Sequence, residues 1–132
     1  MMTLKKAVAL ILIVSMCVVF VGATKDKKSA KQVETIMKRM KKPEKEMEKL
    51  ARSKLFKDSK FASNAVALAR EAKNMVRIKH PDKEFNELNK EMVEYTGKLL
   101  AAIKKKDFKS IKENWEDVRS ICYDCHETYK DL

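Results

Sequence analysis

The sequence predicts an all-α chain folded as an antiparallel up-down four-helix bundle. Composition and periodicity point the same way. Only two Gly and two Pro occur in 132 residues, so helix breakers are scarce. Ala, Lys, Glu, Leu and Met dominate and strand-like alternation is absent, which is the composition of helices. Four stretches place apolar residues at steps of three and four, the period of one helix face.

The first stretch runs from about Ser29 and presents Val33, Ile36 or Met37, Met40, Met47 and Leu50. Pro43 interrupts it. Proline removes a backbone donor and clashes with the preceding turn, so a kink or a break is expected there. The second presents Phe61, Ala65, Leu68, Ala72 and Met75, with Asp58 or Ser59 as N-cap. The third starts near Pro81-Asp82 and presents Phe85, Leu88, Met92, Tyr95, Leu99 and Ile103. Asp107 caps the fourth, in which Phe108, Ile111, Trp115, Val118, Cys122, Cys125 and Tyr129 share one stripe. Each stretch spans about 20 to 25 residues, or ~30 Å of helix. The connections, around 55–57, 79–81 and 104–106, are short, and short connections make sequential helices antiparallel neighbours.

The N-terminus has a different character. Met1 to Lys6 is a short basic start, Ala7 to Phe20 is apolar, and Val21-Gly22-Ala23 is compact. This is the layout of a secretory signal peptide, residues 1–23, cleaved after about Ala23. The competing reading is a retained anchor, although the 17 residues from Ala7 to Ala23 sit at the lower limit of a membrane span. A lipoprotein reading at Cys17 is weaker, because Met16 before it is bulky. Cleavage leaves 24–132, which suits one domain with one core. The chain carries +11, and losing Lys5 and Lys6 with the leader leaves +9. Such a surface favours acidic redox partner proteins, or peripheral contact with anionic membrane. Nucleic acid is not an expected partner of an exported chain.

Cys122-Tyr123-Asp124-Cys125-His126 carries the chemistry. C-x-x-C-H is the attachment motif of c-type haem. Two thiols add to the haem vinyl groups, and the adjacent imidazole ligates the iron from one face. Cys122 and Cys125 are therefore the covalent haem c residues, and His126 is the proximal iron ligand. Haem is joined to this motif outside the cytoplasmic membrane, which agrees with a leader and a periplasmic location. Zinc is the first rival, but a structural zinc site takes four protein ligands and only Cys122, Cys125 and His126 cluster in sequence. A redox dithiol is the second, but it expects a helix N-terminus after a strand, and here the motif ends a helix. With Cys17 removed, no cysteine remains outside the motif.

In an antiparallel bundle the end of helix four lies beside the start of helix one and the link between helices two and three. A sixth iron ligand would come from Met37 or Met40, whose thioethers suit haem iron, or from His80; an empty sixth position is the remaining alternative. Trp115 and Tyr129 are placed to flank the macrocycle. Arg39, Arg119 and Lys130 are candidates for the propionates by placement.

The stretch from Cys122 to Lys130, with Tyr129-Lys130 following the motif, resembles the class II c-type cytochromes, the cytochrome c prime family. The resemblance implies an exported four-helix bundle with one covalent haem c. In low-spin members a Met early in helix one is the sixth ligand, in a Met-Lys-x-Met setting. Ile36-Met37-Lys38-Arg39-Met40 is similar, which implies Met37, with Met40 second. The expected function is an exported monohaem carrier of single electrons, not an enzyme, acting as monomer or homodimer. The alternative is a five-coordinate haem protein that binds NO or CO. A cofactor-free helical binding protein, or a small subunit of a larger redox enzyme, would be further readings.

Overall fold

The computed structural model describes the backbone of residues 4–129 and the side chains of residues 27–129. The expected leader at 1–23, its cleavage after Ala23 and the Lys130 expectation lie outside the described side chains. The described backbone is helical, in the order α1 (Leu4–Arg52), α2 (Ser59–Val76), α3 (Lys83–Lys105) and α4 (Phe108–Tyr129). Among the described residues no helix is long and apolar enough to cross a membrane.

The starts of α2, α3 and α4 are each set by an aspartate. Asp58 accepts from the Lys60 backbone N–H at 2.8 Å, Asp82 from that of Phe85 at 3.2 Å, and Asp107 from that of Ser110 at 3.2 Å. Each satisfies a donor that the first helical turn leaves without a partner. Two helices end on a lysine in the left-handed region, Lys54 at φ 57° and Lys106 at φ 56°. The N–H of Leu55 then reaches the carbonyl of Leu50 at 2.8 Å, and that of Asp107 reaches Ala102 at 3.1 Å. These bonds close off the ends of α1 and α3.

Pro43 does not end α1. The helix runs through it and Pro43 is buried. One backbone bond, to the Arg39 carbonyl, is lost. Good helix formers flank the proline, and Met40 and Met47 are buried on either side of it, so packing holds the helix together across the gap. The expected start near Ser29 is also not a helix start, because α1 is continuous with the segment before it.

The helices pack in sequence, α1 on α2, α2 on α3 and α3 on α4, whereas α1 and α4 approach each other only weakly. Aromatic pairs, edge-on except for the tilted His80–Phe85 contact, close both ends of the bundle. Phe56, Phe61 and Trp115 stack at centroid distances of 5.3 and 5.9 Å near the α1–α2 link. His80, Phe85 and Tyr129 do so at 4.5 and 5.1 Å near the α2–α3 link. Between these plugs the α1–α4 seam stays open.

Helix α3 buries Phe85, Met92 and Leu99 as expected, but differs at the positions between them. Asn89 and Thr96 are buried, while Leu88 and Tyr95 are only half-buried. Thr96 meets its burial cost locally, its hydroxyl donating to the Met92 carbonyl at 2.7 Å. Phe108 also departs from expectation: it is 39% exposed and lies under the Lys57 ammonium, 4.3 Å from the ring centroid.

Candidate functional site

The open seam leads into a cleft of about 460 Å³ that all four helices line. Helix α4 contributes Ile121, Cys122, Cys125, His126 and Tyr129. The 3.6-residue period explains the set: Cys122 and Cys125 fall on the stripe begun by Ile111, Trp115 and Val118. His126 is one position round from it, at the mouth, and is exposed. Across the cleft α1 presents Val33, Met37, Met40 and Glu44; α2 and α3 supply its floor, Leu68, Ala72, Met75, Asn89 and Met92.

Two observations fix the register across the seam. Arg119 of α4 pairs with Glu48 of α1 at 2.8 Å. One turn further down, Glu44 and Cys122 line the seam together. The next turn sets Met40 about level with His126, and Met37 lies a turn beyond. Both methionines line the cleft, Met40 buried and Met37 half-buried.

His80 is not among the cleft-lining residues. Its Nδ1 accepts from the Asp82 N–H at 3.1 Å, and its own N–H donates to Asn86 Oδ1 at 3.3 Å. It braces the link ahead of α3. The two arginines expected near propionates are engaged elsewhere. Arg39 pairs with the buried Glu71 at 3.2 Å, and Arg119 with Glu48 and Glu116. Trp115 lies beside Cys122 in a second groove along the seam, with Arg119, Tyr123 and His126.

Both thiols are free and buried. Burial pushes the Cys122 thiol up to about 12, with the charges of Glu44 and Cys125 adding to it. Burial raises Cys125 as well. Tyr129 is also pushed up to about 12, first by burial and then by the Asp82 carboxylate. Its hydroxyl lies close to Asp82 without reaching hydrogen-bond geometry. Among the described residues no three His, Cys, Asp or Glu side chains converge as a metal-binding group, so the zinc reading finds no ligand set there.

The cleft fits an iron porphyrin. Its volume lies within the range of cofactor sites, its floor is apolar, and two thiols and an imidazole line it together. Its wall also carries a buried amide donor, Asn89 Nδ2, that has no partner. Residues 77–130, from the end of α2 through the C-x-x-C-H motif, match the family model described as Cytochrome C'. Over that stretch the chain is similar to the cytochrome c′ family. The family binds haem c covalently. Helices α1 and α2, with Met37 and Met40, lie outside the matched residues. No curated protein and no solved structure matches the chain.

Among the cleft residues that the sequence did not assign to the site are Met75, Glu44 and Asn89. Met75 was assigned to the core stripe alone, and Glu44 fell on no apolar stripe. Asn89 did leave a signal: with Phe85 and Met92 it makes an i, i+4, i+7 series with one polar member. Leu88, its neighbour, satisfied the apolar pattern and took its place.

Proposed function

We propose that this cytochrome c′-like chain carries single electrons between redox partners outside the cytoplasmic membrane, and that it is not an enzyme. Haem c supplies a one-electron iron couple. Cys122 and Cys125 would hold it by thioether bonds, and His126 would ligate the iron from the α4 side. Met37 or Met40 would ligate it from the α1 side. The residue pattern shared with low-spin members supports Met37, and the register across the seam supports Met40. An axial thioether raises the potential relative to a second imidazole, and an apolar surround raises it further. Val33, Leu68, Met75 and Met92 would provide that surround by excluding water.

The observation that carries this reading is that the α1 thioethers of Met37 and Met40 share one cleft with both thiols and His126. Family members are typically exported, which supports the periplasmic location expected from residues 1–23. The basic surface supports docking on acidic partner proteins.

The test is spectroscopic. The holoprotein, purified from a host that attaches haem c, is expected to be six-coordinate and low-spin, and slow to take up CO. Replacing the ligating methionine by leucine should turn the spectrum high-spin, while replacing the other leaves it unchanged. A wild-type ferrous form that is five-coordinate and binds CO readily overturns the carrier reading in favour of NO or CO binding.

A further inference from the structure

Asn89 is the one polar side chain of the cleft floor. It is buried, 7% exposed, and its Nδ2 has no hydrogen-bond partner. A buried amide donor left without a partner is destabilising relative to a satisfied one. Leucine at this position of α3 would line the cleft without that cost, so the amide implies an acceptor that occupies the cleft. The thiols opposite are poor acceptors. The porphyrin core is apolar, and its permanent oxygen acceptors are the two propionate carboxylates.

Of the cations around the cleft, Lys41 and Lys45 stand exposed at its mouth, where water solvates them, and three others are held in ion pairs. Arg39 is paired with Glu71, Arg119 with Glu48 and Glu116, and Lys38 with Glu34. We propose that the Asn89 side-chain amide donates a hydrogen bond to a propionate of the haem held by Cys122 and Cys125, and so fixes the orientation of that propionate in the cleft. The inference rests on the haem reading but not on which methionine, if either, ligates the iron. A hydrogen bond to an ionised carboxylate is charge-assisted and roughly twice as strong as a neutral one, which makes an amide an adequate partner inside an apolar wall.

Asn89→Leu removes the donor at nearly constant volume, and Asn89→Ala does so without risk of overpacking. The experiment records resonance Raman spectra of the wild-type holoprotein and both variants, with the ferrous CO stretch as a second reading. Haem attachment is confirmed first by intact mass. The expected result is a downshift of the propionate bending band in both variants with the CO stretch unchanged. An unchanged propionate band overturns the proposal. So does a CO stretch that moves while the propionate band stays, because Asn89 would then face the axial position. Failure to attach haem to the wild-type chain sinks the haem reading itself, which separates the two failures.

Discussion

At the scale of single residues, burial decides both stability and reactivity. Trp115 and Phe61 are almost fully buried and meet edge-on. Replacing either with alanine should cost about 3–5 kcal/mol, read as a fall in the urea midpoint of the holoprotein. The thiols respond differently. A Cys122 thiol at about 12 holds roughly a thousandth of the thiolate that an unperturbed cysteine holds near neutral pH. Before haem is attached, alkylation of Cys122 in the folded chain should therefore be on the order of a thousandfold slower than in urea. It should quicken about tenfold per pH unit. Iodoacetamide labelling followed by peptide mass reads both effects, and equal rates in the folded and unfolded chain would remove burial as the cause.

Among the elements, helix ends and helix faces were legible to different degrees. Asp58, Asp82 and Asp107 could be read as starts because a capping carboxylate acts within one turn and needs no tertiary partner. The α2 stripe was read residue for residue, since all five of its apolar members are buried. Half of the α3 stripe, Phe85, Met92 and Leu99, was read correctly; periodicity ranks Leu88 above Asn89 and Tyr95 above Thr96, whereas a helix facing a cleft need not bury its most apolar line. Pro43 was read as a breaker because its local cost is visible in sequence while the packing of Met40 and Met47 is not. Two predictions belong here. Gly97 lies within α3, and a Cβ there would meet nothing within 4 Å; Gly97→Ala should therefore stabilise by about 0.5–1 kcal/mol. Asp82 is held below the usual carboxylate range by the Phe85 N–H, and Asp107 by Ser110. A carboxyl lowered in the folded state contributes stability above its unfolded pKa and loses it as pH falls through the folded value. The melting temperature should thus fall below about pH 4. Asp107→Asn, which caps without a charge, should flatten that fall, as followed by circular dichroism.

For the whole molecule, the decisive property is that three of the four helix seams are closed and the fourth is open. Sequence showed the helix count and the antiparallel order, because both follow from periodicity and short links. It did not show the open seam or the cleft behind it, which Val33, Met40, Met75 and Met92 line, because where two helices part depends on tertiary packing rather than on periodicity. An apolar void of about 460 Å³ would cost on the order of 10 kcal/mol if it were closed and left empty. That is an upper bound, since water enters through the seam, yet it is comparable to the whole stability of a domain this size. The bundle should therefore depend on what fills the cleft. The double variant Cys122→Ala and Cys125→Ala, expressed with the haem-attachment machinery, should lack covalent haem and lose helical signal at 222 nm. Its melt should be broader and its midpoint at least 15 °C lower than that of the holoprotein, a shift worth roughly 2–4 kcal/mol at this length. Melting with the same midpoint and cooperativity would mean that α1 and α4 close on each other without an occupant, and the open seam would then have no bearing on stability.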